Sequence, residues 1–222
     1  FPQSISDACH KHYLPKGPLD EVPREPVSVS LALADKIDLI TNFWSINLKP
    51  TGSKDPFALR RSAIGIIRIL MENNLDLSLK SLLKLGNKNV DFDDLTEFFN
   101  DRVRAHFIEK GIRHDILNAL VLKCYESVCL KDLYLRALAI SDFVGTVSGK
   151  DLIQGYKRAV NILNAEQKKD GVEYSLDPNL KLMKEISEKI LYKKLVEIDN
   201  LIVKDLKLQN VELALKNLAI LR

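Results

Sequence analysis

The sequence predicts an all-α protein of two packed helical units, on three observations. Glycine (9) and proline (8) are scarce in 222 residues, and the prolines gather toward the N-terminus instead of recurring every ten or so, which argues against a turn-rich sandwich or barrel. Apolar residues recur at spacings of three and four along most of the chain, and no alternating run is long enough to build a sheet. Hydrophobic residues make up 46% and charged residues 28%, which supports a buried core and argues against disorder.

Each element follows from local pattern. Residues 4–13 read as a first helix. LPKGPLDEVPREP (14–26) carries four prolines, which forbid a helix and favour an extended, surface-hugging connector, with a family landmark as the alternative reading. A helix over 27–46 places Leu33, Ile37, Ile40 and Trp44 on one apolar stripe and Asp35, Asp38 and Asn42 on a polar one. After a loop with Pro50 and Gly52, Asp55 reads as an N-cap with Pro56 at the first helical position. In the helix that follows, Leu59, Ala63, Ile66, Ile67 and Leu70 turn inward, Arg61, Gly65 and Arg68 share another face, and Asn73 and Asn74 end it.

A short helix over 78–85 leads to Gly86-Asn87-Lys88-Asn89, whose polar, turn-rich composition marks a domain boundary and gives units 1–86 and 87–222. Asp91 caps a helix running to residue 110, with Phe92, Leu95, Phe99 and Val103 on its buried side and Gly111 in the C′ position. Helices are expected over 113–125, 130–143 and 150–166, then a charged connector over 167–179, then helices over 180–203 and 211–220.

The chemistry is sparse. No phosphate loop, dinucleotide fingerprint, nucleophile elbow or catalytic carboxylate pair is present, which argues against an independent enzyme with its own cofactor. Cys9, Cys124 and Cys129 form no CxxC and read as reduced, mostly buried thiols of a cytosolic protein. His10 and His12 fall on different helix faces, a poor metal pair. His114-Asp115 is the dipeptide for which HD phosphohydrolases are named, but at a helix start Asp115 complements the dipole without a metal. No apolar run approaches the roughly 20 residues of a membrane span, no signal peptide opens the chain, and its start at Phe1 reads as an excised piece.

A net charge of +3 is compatible with a nucleic-acid partner and equally with others. Basic residues concentrate in three groups: Lys49, Lys54, Arg60, Arg61 and Arg68; Arg102, Arg104, His106, Lys110 and Arg113; and Lys157 and Arg158 with Asn161. From these, Lys54, Arg60, Arg102, Arg104, Lys157 and Arg158 are the candidate RNA contacts. Arg61 and Arg68 are expected instead to form structural ion pairs with Asp35 and Asp38 across neighbouring helices.

ALADKID (32–38), Phe43-Trp44, KPTGSKDPFALRR (49–61) and the 65–70 stretch closely resemble the beta subunit of the bacterial heterotetrameric glycyl-tRNA synthetase. His12-Tyr13-Leu14-Pro15, Phe99-Asn100-Asp101-Arg102, Gly111-Ile112-Arg113-His114-Asp115 and Tyr156-Lys157-Arg158-Ala159-Val160-Asn161 are similar to further landmarks, so the resemblance covers residues 12–163 and thins beyond. It implies a C-terminal piece of that subunit: the closing part of an HD-like helical domain, then the start of a helical anticodon-binding-type domain, truncated. Asp35 resembles the late metal-ligand aspartate of HD proteins, but the upstream ligands are absent. The resemblance implies glycine tRNA and the alpha subunit of an α2β2 tetramer as partners, with ATP and magnesium held by the alpha subunit, in the cytoplasm. The alternatives are a metal-dependent HD phosphohydrolase fragment and a purely structural helical module bridging subunits.

Overall fold

The computed structural model describes residues 2–124, 129–175 and 177–221, the side chains of 121–124 excepted. Among the described residues the regular structure is helical, with one isolated antiparallel bridge between Thr51 and Lys54. No helix among them is long and apolar enough to cross a membrane. The chain forms two compact units, Phe1–Ala137 and Leu138–Arg222.

The first unit holds α1 (Gln3–Lys11), α2 (Pro26–Ser45), α3 (Leu59–Glu72), α4 (Leu79–Leu83), α5 (Phe92–Glu109), α6 (His114–Cys124) and the first half of α7 (Leu130–Gly145). Helix α2 is central, with α1, α3 and α4 packed on it; α5 lies on α3, and α6 on α5. The expected stripes are the core: Leu33, Ile37, Ile40 and Trp44 of α2 and Leu59, Ala63, Ile66, Ile67 and Leu70 of α3 are all buried. Leu95, Phe99 and Val103 of α5 close the other side. Burying side chains of this size stabilises by roughly 1.5–3 kcal/mol each before the entropy cost of ordering them.

The helix ends are built from side chains. The Glu25 carboxylate accepts the amides of Val27 and Ser28 at the start of α2, where Pro26 loses no hydrogen bond. Asp91 accepts the amides of Asp93 and Asp94, and Gly111, at φ 91°, closes α5 as expected.

Two expectations are corrected here. Asp55 does cap α3, accepting the amides of Leu59 and Arg60. The helix nevertheless begins only at Leu59, after a turn in which Ala58 takes the left-handed conformation (φ 54°), so Pro56 sits in that turn and not in the helix. The Gly86–Asn89 stretch is interior to the first unit, because the Asn87 amide donates to Thr41 Oγ1 at 3.0 Å and its side-chain nitrogen to Asn42 and Ser45. The polar turn is docked on α2, and the contacts divide within α7 instead.

The second unit holds the rest of α7, α8 (Val147–Asp170), α9 (Ile186–Lys207) and α10 (Val211–Leu218), with 3-10 turns at Leu180–Leu182 and Ala219–Leu221. Helix α8 is longer at both ends than expected. Thr146 caps it through the Gly149 amide, and it runs until Gly171 (φ 65°). The expected helix over 180–203 breaks at Met183. Glu188 accepts the amides of Lys184 and Glu185, so α9 starts at Ile186. Helices α9 and α10 pack through Ile198 and Ala214, and the Asn217 side chain donates to buried Asp205 at 2.7 Å.

Candidate nucleic-acid interface

The proline-rich segment between α1 and α2 forms a fixed wall over α3. Lys36 is 4% exposed and its ammonium donates to the carbonyls of His12 (3.2 Å) and Tyr13 (3.0 Å). Burial pushes this lysine's pKa down, with Asp35 acting in the opposite direction. Gly65 leaves room for it: a Cβ there would stand 2.8 Å from Lys36 Cε. Arg68, the next anchor, donates to the carbonyls of Gly17 (2.9 Å) and Asp20 (2.8 Å), and its Nε to Glu72 (2.8 Å). The Asp20 carboxylate then accepts the amides of Lys16 and Gly17, closing the loop on itself.

These contacts correct the expected ion pairs. Arg68 pairs with Glu72, one helical turn along, and Glu72 also receives Arg24. Neither Asp35 nor Asp38 makes an ion pair among the described residues, and exposed Arg61 makes none either. The charge facing Arg68 from the loop is carried by backbone carbonyl dipoles, not by carboxylates of α2.

The candidate RNA contacts separate into two kinds. Arg102 is folded back on α5: it donates to the Phe98 carbonyl at 2.6 Å, lies 3.8 Å from the Phe98 ring centre and 3.7 Å from Asp101. Arg104 pairs with Glu97 and Asp101, and the side chains of Arg102 and Arg104 are only 17% and 18% exposed. Both are engaged within the protein, on a helix that also carries Glu97, whose pKa is held down by bonds from Asn100 and Arg104. Arg60 donates to the Gly52 carbonyl at 2.7 Å. Lys54, Lys157 and Arg158 are exposed with no side-chain partner among the described residues. Lys49 is also engaged, 2.7 Å from Asp94, which the Trp44 indole N–H meets at 2.7 Å; the Lys49 hydrogen bond holds the Asp94 pKa down.

The remaining chemistry is local. Arg113 pairs with Asp115, and His114 with Asn118, so the His-Asp dipeptide serves the start of α6. Cys9 is exposed, against expectation; Cys129 is buried, and the Cys124 side chain lies outside the described residues. Among the described residues one group with ligand-type atoms within 4.8 Å of one another, Asp76, Cys129 and Asp132, is not visible in the sequence. Burial pushes the Cys129 thiol up, which keeps it protonated at neutral pH, and its sulfur accepts the Asp132 amide at the start of α7.

His106 of α5 is held neutral. Burial lowers its pKa first, then Lys110, with Arg68 adding to them and Glu109 and Glu72 opposing. Its Nε2 is buried without a hydrogen-bond partner among the described residues. Above pH 6.5 the ring is neutral in folded and unfolded chains alike; below it, only the unfolded chain readily takes the proton. Stability should therefore fall as pH drops from about 7.5 to about 5.5, and His106→Gln should remove part of that loss, read as urea midpoints at the two pH values.

The profile of the glycyl-tRNA synthetase beta subunit family matches residues 1–122, more than half of the chain. The chain belongs to the glycyl-tRNA synthetase beta subunit family. Similar relatives include glycine–tRNA ligase beta subunits of Ruegeria sp. (strain TM1040), 42% identical, and Paracoccus denitrificans (strain Pd 1222), 43% identical, each aligned over all of this chain and 32% of the relative. The beta subunit of Rhodospirillum centenum is 45% identical over 79% of this chain and 25% of its own length. The likeness to the first two thus extends past the 12–163 span that the sequence landmarks marked out. The chain spans about a third of the length of these curated beta subunits.

Proposed function

We propose that this chain is a tRNA-holding part of a glycine–tRNA ligase, gripping glycine tRNA by its phosphates and supplying no group to the chemical steps. In this reading the partner is the alpha subunit in an α2β2 assembly, which holds ATP and magnesium, and the enzyme works in the cytoplasm. Residues 1–86 are read as the close of an HD-like domain and later residues as part of an anticodon-binding-type domain.

The observation that carries the reading is family membership combined with cations left uncommitted by the fold. Lys54 at the loop before α3 and Lys157 and Arg158 on α8 make no side-chain bonds among the described residues, whereas Arg102 and Arg104 do. Positioning contacts to a phosphate backbone need such cations and no particular base. Lys54, Lys157 and Arg158 are therefore the stronger contacts, Arg60 has one nitrogen committed to the Gly52 carbonyl, and Arg102 and Arg104 are residues that stiffen α5.

The test is binding of the 222-residue chain to glycine tRNA and to a non-cognate tRNA over a salt series. Affinity should fall steeply with salt, the logarithmic slope growing by about 0.7–0.9 per phosphate contacted. Binding that does not respond to salt would sink the electrostatic grip.

A further inference from the structure

We propose that the cleft between the 15–20 loop and α3 is a seat for backbone phosphates of RNA, contacted by Lys16 from one wall and Arg61 from the other. The inference rests on the tRNA reading above and adds a site that the sequence pattern had assigned to structural ion pairing.

The cleft has a volume of about 820 Å³ and lies within the first unit. Its charged lining is four cations, Lys16, Arg60, Arg61 and Arg68, against Asp20, Asp55 and Glu109. Most of these charges already have an internal task. The Asp20 carboxylate accepts two loop amides, the Asp55 carboxylate accepts the first two amides of α3, and Arg68 spends its donors on Glu72 and two loop carbonyls. Arg60 gives one nitrogen to the Gly52 carbonyl. The lining groups without a hydrogen bond or ion pair among the described residues are Lys16, whose ammonium only stands 5.1 Å from the Tyr13 ring centre, Arg61 and Glu109. Two free cations against one carboxylate favour an anionic occupant, and the guanidinium of Arg61 offers a fork that fits two oxygens of one phosphate.

The walls are fixed before anything binds. Lys36 and Arg68 hold four carbonyls at the N-terminal side of the cleft, and Gly65 lets the Pro15 carbonyl and the Lys36 stem lie against α3. A ligand entering this cleft orders two side chains and no loop, which keeps the entropic cost of binding low. Lys36 and Arg68 are positioning residues, and Lys16 and Arg61 make the contact.

The experiment uses the 222-residue chain, glycine tRNA, and a Lys16→Ala/Arg61→Ala double variant. Both side chains are exposed, so thermal unfolding should match the parent. The expected result is a loss of affinity by a factor of about ten or more at low salt, and a log–log salt slope shallower by about 1.4–1.8, two phosphate contacts' worth. Arg61→Lys should keep the slope and lose only part of the affinity. A double variant that binds with the parent's affinity and slope overturns the cleft and leaves the tRNA reading intact. A parent chain that binds no tRNA overturns both.

Discussion

Replacing Gly86 by alanine is expected to lower the stability of the first unit by about 1–3 kcal/mol, the usual cost of forcing an extra methyl into a packed site. A Cβ at this position would stand 2.4 Å from Thr41 Oγ1, 2.8 Å from its Cγ2 and 3.0 Å from its Cβ. Thr41 has no easy way to yield. It is fully buried, β-branched and therefore stiff about χ1, and its hydroxyl donates to the Ile37 carbonyl at 2.8 Å while accepting the Asn87 amide. Turning the side chain aside would break both bonds, so the strain passes to the backbone of residues 86–87. Urea unfolding of Gly86→Ala against the parent measures the effect. A Gly86→Ala/Thr41→Ala double variant should lose less than the sum of the two single losses, because the clash needs both side chains. Strict additivity would mean that the turn is not seated on α2 as described.

That turn also separates what the sequence made legible from what it hid. Helices α2 and α5 were readable because period and punctuation agree: Leu33, Ile37, Ile40 and Trp44 fall on one stripe and are all buried, and Asp91 and Gly111 frame α5 as capping chemistry requires. Gly86-Asn87 carries the composition of a free turn, and composition alone does not reveal whether a turn is docked. The polar partners on α2 that receive it, Thr41, Asn42 and Ser45, lie more than forty positions upstream. The same blindness explains Arg68. Charges are visible in a sequence and carbonyls are not, and around Arg68 the loop backbone supplies the acceptors. Two of these placements do follow from spacing. Ala32, Lys36 and Ile40 are four apart, which puts the lysine on the buried face of α2. Phe98 and Arg102 are also four apart, the spacing at which a guanidinium folds back over a ring, as Arg102 does here.

Arg68→Ala should cost about 2–3 kcal/mol and release the loop over residues 14–23 at the same time. The side chain is 12% exposed, and its removal leaves the Gly17 and Asp20 carbonyls without their donor in a part-buried site. Glu72 is not orphaned, because Arg24 reaches it from the segment before α2, so the loss comes chiefly from the loop side. Arg68→Lys should recover only a fraction. One ammonium at the end of a flexible stem cannot reproduce a planar fork that meets three acceptors on two segments, 48 and 51 positions away for the loop pair. The loop should respond before the core does. Amide exchange at Lys16 and Gly17, whose protons are held by Asp20, should accelerate while amides in the middle of α2 and α3 stay protected, and limited proteolysis should cut within residues 14–23. In tRNA binding the variant separates positioning from contact. Loosening the wall should weaken affinity with the salt slope nearly unchanged, whereas removal of Lys16 and Arg61 should lower both. Equal changes in slope for Arg68→Ala and the Lys16/Arg61 variant would move Arg68 from the wall into the contact itself.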